Sequence, residues 1–246
     1  MAKAPRRPEE IFGEFTKDYK EAFGEDLLSI SLYGSGARGE YIPGRSDLNF
    51  LILLREEGIK RLERATRLVA KWRRRAVAIP LFLTPWYIKT SLDSFPLEFL
   101  DMKLHHITIY GDDPFKDIEI EKKALRLQCE REVKGKLLLL REAAVGSEGK
   151  KEPLIAVFSQ SITALSAIFS GLLYLMDVEA PISRKEAAVA LCKKVGLREE
   201  VFEGVWRIKR GEWKPSQKEA VELMAFYLEE VRRLALWVDE FAKEVG

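Results

Sequence analysis

Tyr33-Gly34-Ser35-Gly36-Ala37-Arg38-Gly39, and after it Ser46-Asp47-Leu48-Asn49-Phe50, are the residues on which the reading of this chain turns. The apolar run Leu27–Tyr33 ahead of them reads as a short buried strand. Gly34 and Gly36 let the backbone come close to a phosphate, and Ser35 adds a hydroxyl. The amides opening the next helix are expected to point at the anion, with Arg38 and Arg45 to neutralise it. A Gly-Ser-Gly turn alone also serves any tight turn, so the weight rests on the acid-bearing strand beyond it. Phe50–Leu54 reads as that second strand, entered through Pro43-Gly44-Arg45-Ser46. Residues i and i+2 of a strand face one side, so Asp47 and Asn49 are expected to aim at one point.

A strand ending in Gly-Ser, then Ala-Arg-Gly, then Ser-Asp-x-Asp on the next strand is the signature of the nucleotidyltransferase superfamily. Its members include DNA polymerase β, kanamycin nucleotidyltransferase and the small antitoxin-type nucleotidyltransferases. Gly34-Ser35, Ala37-Arg38-Gly39 and Ser46-Asp47-Leu48 match it, and the chain resembles this family well over residues 27–83. The resemblance implies an α+β, polymerase β-like N-terminal domain followed by an all-α helical bundle. It also implies two strand acids holding Mg²⁺ over a nucleoside triphosphate, and a third acid on a neighbouring strand to activate the acceptor. Asp47 and Asn49 occupy the catalytic and metal-binding positions, and Gly34, Ser35, Gly36, Arg38 and Arg45 the nucleotide-binding ones. Asn49 is the only asparagine of the chain, and it replaces a charged metal ligand with a neutral amide. The expected third strand, Ala76–Leu83, carries no carboxylate; Asp93, Glu98 and Asp101 come after it without a place in the site. Three functions stay open: a nucleotide-binding member whose transfer chemistry is weak or lost, an active Mg²⁺-dependent transferase, and an antitoxin-like interaction module.

Further along, Ile59–Trp72 reads as a helix, Ser94–Met102 as another and Ile107–Tyr110 as a short strand. Beyond Tyr110 only helical periodicity remains, which divides the chain into 1–120 and 121–246, the second part with helices at Glu121–Ala144, Leu154–Met176, Arg184–Val195, Glu199–Arg210 and Gln217–Val245. Ser183 begins a capping box with Glu186. Ala220, Met224, Tyr227, Val231, Leu234, Val238, Phe241 and Val245 form a packing seam on the last helix. Gly146–Lys151 reads as the soft linker. Leu154–Met176 has no charge and the length to span a bilayer, but its serines, Gln160 and Thr163 point to a buried bundle helix, so no membrane partner is expected.

Composition bounds the rest. Of the 246 residues 47% are hydrophobic, enough for a real core, and 41 Lys plus Arg against 39 Asp plus Glu leave a formal charge of +2. No overall field recruits nucleic acid. Lys60, Arg64, Arg67, Lys71 and Arg73-Arg74-Arg75 read as a solvated helix face before they read as a nucleic-acid tract. Adjacent His105 and His106 on a strand would face opposite ways and share no metal. Trp206, Trp213 and Trp237 read as bundle packing. Cys129 and Cys192, far apart, suit a reduced cytoplasmic protein without a disulfide framework, and the start of the chain lacks the apolar stretch of a signal peptide. High charge with few amides fits the trend of heat-adapted proteins. Partners expected are a nucleotide and, through the helical half, another protein or a second copy.

Overall fold

The computed structural model describes residues 4–245, with side chains described to residue 241. It divides into two compact units, residues 1–94 with 99–120, and residues 95–98 with 121–246. The first is mixed α/β and the second helical.

In the first unit helix α1 (Phe12–Phe23) precedes strands β1 (Leu27–Tyr33) and β2 (Asn49–Leu54). Phe15, Tyr19 and Phe23 recur every four residues on α1, and this spacing turns all three onto one face of the sheet. There they meet Ile30 and Leu32 from β1 and Phe50, Ile52 and Leu54 from β2. Phe15 stacks on Phe50 at 4.1 Å and meets the edge of Trp72 at 5.1 Å. Two further strands, β3 (Leu81–Leu83) and β4 (His106–Gly111), complete a sheet of order β3-β2-β1-β4, antiparallel except for the parallel β2/β3 pair.

Two elements depart from the sequence expectation. The strand expected over Ala76–Leu83 forms ladder bonds only from Leu81, with an isolated bridge at Val77. Pro80 supplies no N–H and breaks the row between them. The helix expected over Ile59–Trp72 is broken into α2 (Glu56–Ile59), a 3₁₀ turn at Leu62–Ala65 and α3 (Thr66–Arg73). Arg55 is pinned to the backbone of Glu25 and Asp26, and Gly58 lies so close to Asp26 that a Cβ there would approach it to 2.9 Å. The chain must step outward before Ala65 and Trp72 can enter the core. Three of the basic residues here are in ion pairs: Lys71 with Glu14 and Asp18, Arg75 with Glu14, and Lys60 with Glu57. Helices α4 (Pro85–Ser91) and α5 (Pro96–Leu104) lead into β4. Helix α4, too short to show a period in the sequence, is capped by Thr84, which accepts from Tyr87 N. His106 Nδ1 bonds Met102 O at 2.8 Å and its Nε2 meets Asp113 at 2.9 Å, while the neighbouring His105 is buried.

The second unit is a bundle of α6 (Lys122–Gly146), α7 (Lys151–Leu175), α8 (Arg184–Val195), α9 (Glu199–Arg210) and α10 (Gln217–Val245). Helix α7 packs against all four others. By length and composition it is apolar enough to cross a membrane, and half of its most apolar window is buried in the structure. Its hydroxyls are tolerated there because they bond back to the helix itself: Ser159 to Ile155 O, Thr163 to Ser159 O, Ser166 to Ile162 O and Ser170 to Ser166 O. Ser183 accepts from Glu186 N and caps α8. The seam of α10 is buried from Ala220 to Val238; Phe241 stacks on Trp237 at 4.9 Å, and the side chain of Val245 lies outside those described. Trp213 packs over Gly204, and Trp206 is buried. Both cysteines are buried as free thiols, and burial pushes Cys192 up to about 12 and Cys129 higher still.

Candidate functional site

Strand β1 ends at Tyr33, opposite Asn49 in the antiparallel register, and the chain leaves the sheet through Gly34 at φ +72. A left-handed backbone of this kind favours glycine. Arg38 N donates to Gly34 O at 3.1 Å and Glu40 N to Ser35 O at 2.9 Å, so residues 34–39 form a series of turns. The helix expected after the glycines is absent, because Gly39, at φ +73, follows directly on the single helical turn that runs from Gly34 and is closed by Arg38 N. The site therefore has loop amides but no helix dipole. Gly36 proves to be a packing glycine: a Cβ there would lie 3.1 Å from Leu48 and 3.2 Å from Leu32.

Asp47 precedes β2, yet the alternation of the strand already holds. Leu48 and Phe50 are buried while Asp47 is exposed and Asn49 half-buried, so Asp47 and Asn49 share the outer face. Asn49 faces the glycine turn closely, since a Cβ on Gly34 would sit 3.2 Å from Asn49 Nδ2. The Ser35 hydroxyl is half-buried and makes no hydrogen bond among the described residues. Arg45 stands exposed on the Pro43–Arg45 turn, which is closed by Arg45 N and Ser46 N donating to Ile42 O. Tyr41, which no motif in the sequence singles out, belongs to this neighbourhood. Its hydroxyl donates to Pro5 O, and burial together with the Asp47 and Glu10 carboxylates raises its phenol above the ordinary value.

Arg38 requires a correction. Expected from the sequence to neutralise a phosphate, it has a fully buried side chain, and its guanidinium donates to Asp101 on α5. A guanidinium taken out of water needs an anion, and here the protein supplies it. Asp101 lies 63 residues further along the chain, and no local pattern in the sequence links the two. No known family model matches this chain, and a search of curated proteins finds no match.

The donor set can be judged on its own chemistry. A two-metal phosphate clamp rests on several anionic oxygens converging on one point. Here position 49 offers an amide, Ala76–Leu83 offers no carboxylate, and Asp101 is held by Arg38. Among the described residues no group of three or more His, Cys, Asp or Glu side chains could hold a metal ion. The residues present do not fit such a clamp. What they do provide is one free hydroxyl, loop amides, a side-chain amide and one exposed arginine beside a single carboxylate.

Proposed function

We propose that the Gly34–Ser35 turn holds the phosphates of a nucleotide in a protein related to the nucleotidyltransferases, and that metal-dependent transfer is weak or lost. The observation carrying this reading is the place of the Asn49 amide beside Gly34, where an added Cβ would lie 3.2 Å from Asn49 Nδ2. Where the resemblance leads one to expect a carboxylate, which reaches a phosphate only through a cation, the amide of Asn49 can donate to a phosphate oxygen directly. The uncommitted Ser35 hydroxyl and the exposed Arg45 give the same ligand two more contacts. Asp47 alone is too little to hold two metals, and in-line phosphoryl transfer has few other sources of rate.

Calorimetric titration of the protein with ATP, GTP and pyrophosphate, in Mg²⁺ and in chelator, tests it. Binding is expected in both media, with Ser35→Ala and Arg45→Ala each weakening it and radiolabel transfer from NTP staying near background. Absence of binding up to millimolar ligand would sink the reading, and robust transfer would replace it with an active enzyme.

A further inference from the structure

Helix α6 carries a second regular face on the side away from the bundle core. Leu125, Cys129, Val133, Leu137 and Leu140 turn inward and are buried. Half a turn round the helix, Arg131, Gly135, Leu138, Glu142 and Val145 follow one another in alternating four- and three-residue steps, the spacing by which one helix seats along another. None of these residues is buried: Leu138 is 58% and Val145 82% exposed, Arg131 and Glu142 are exposed, and Gly135 is half-buried. Leu127, 57% exposed, extends the face toward the start of the helix.

Two features of this face have no use within a single copy. A glycine in the middle of a helix is destabilising relative to alanine, yet a Cβ at Gly135 would meet nothing within 4 Å, so the bundle itself does not call for it. Arg131 and Glu142 make no ion pair among the described residues, although Lys134 on the same helix is paired with Glu130 and Asp239, and Lys136 with Glu132.

A second copy of the chain accounts for both. When two α6 helices lie antiparallel about a two-fold axis passing between Lys136 and Leu137, Leu138 of each copy stands over Gly135 of the other, and Arg131 of each meets Glu142 of the other. The glycine makes the hollow that the leucine fills, and each unpaired charge finds its opposite. A parallel arrangement would instead set Arg131 against Arg131 and Glu142 against Glu142. We infer that the chain self-associates through this face of α6 as an antiparallel two-fold dimer. The seam of one helix, about 27 Å from Leu127 to Val145, is short for an obligate dimer, so association in the range of tens of micromolar is expected.

Sedimentation equilibrium of the full chain, from micromolar to submillimolar concentration, tests this. The native chain is expected to pass from monomer to dimer over that range, and to do so less readily at high salt. Glu142→Arg should weaken dimerisation about tenfold, since both cross pairs turn from attractive to repulsive. Arg131→Glu should do the same, and the two substitutions together, which exchange the charges, should restore association to near the native value. Gly135→Leu fills the hollow. It should abolish the dimer while leaving a helical monomer at least as heat-stable as the native one, since nothing stands against a Cβ there and leucine favours a helix. The inference is overturned if the chain stays monomeric at submillimolar concentration, if Glu142→Arg or Gly135→Leu leaves a dimer of native strength, or if exchanging both charges brings no recovery.

Discussion

Replacing Asp101 by Asn tests whether Arg38 belongs to the framework or to the ligand site. The Arg38 side chain is wholly buried and that of Asp101 is 15% exposed, so the substitution keeps the shape but removes the Asp101 charge from beside a guanidinium in the interior. Breaking a buried pair from one side costs about 3–5 kcal/mol, and the partial exposure of Asp101 argues for the lower end. For a protein of this size that is roughly 10 °C in Tm. Chemical unfolding followed by tryptophan fluorescence measures it, since Trp72 lies in the core of the first unit. The double variant Arg38→Met with Asp101→Leu removes both charges and should regain most of the loss, because apolar side chains of similar volume replace buried pairs at little cost. It should also bind nucleotide as the native chain does. A loss below about 1 kcal/mol in Asp101→Asn would show that the pair does not hold this loop. A double variant that is stable but no longer binds nucleotide would return Arg38 to the ligand.

Asn49→Asp puts a second carboxylate on the face of Asp47, where two charges about 7 Å apart repel by about 0.6 kcal/mol in a water-like medium, and by more at a half-buried position. The new carboxyl then has a raised folded pKa. Its penalty is full at neutral pH and fades as pH falls through the raised folded value to the ordinary carboxylate one, below which it is gone, and Mg²⁺ should reverse it and make nucleotide affinity metal-dependent; melting curves at several pH values, with and without Mg²⁺, track both effects. Gly34→Ala should lose more stability in urea than Gly39→Ala: both glycines have nearly the same positive φ, costing about 1 kcal/mol each, but only Gly34 has Asn49 against it. Glu230 in α10 is fully buried, and although burial raises its carboxyl, bonds from the Arg198 amide and from the Arg198 and Arg233 guanidiniums outweigh that and set it below the usual value. Its contribution is therefore present above the unfolded carboxylate pKa and lost as pH falls through the lowered folded one. Glu230→Gln should be less stable at neutral pH and show a flatter acid limb in pH-dependent unfolding.

The helices of the second unit are legible in the sequence because a 3.6-residue period repeated over 12 or more residues leaves little ambiguity, and Arg184–Val195 shows it together with a Ser183 cap and a terminal Gly196. The shared face of Asp47 and Asn49 is legible from alternation alone. The break at Pro80 escapes the sequence reading, because the apolar run Ala76–Leu83 passes through it and reads as one strand, although the missing N–H shortens the ladder to Leu81–Leu83. Other features are set by partners remote in sequence. Nothing near Arg38 announces Asp101, and nothing near Gly58 announces Asp26.

The serines of α7 have a consequence for how the bundle is aligned. A hydroxyl bonded to its own helix is indifferent to what lies opposite, so most of the polar positions on α7 would accept a neighbour slid up or down by a turn. Two do not. Ser161 meets Tyr227 of α10 at 3.1 Å in a buried contact, and Thr163 takes a bond from Lys209 of α9. Sitting two residues apart, they index two helices against one short length of α7, while the leucine and phenylalanine contacts above and below supply cohesion with little preference for registry. The bundle is in this sense pinned at a single level, and substitutions there should change its alignment, whereas equally large ones elsewhere on α7 should change only its stability.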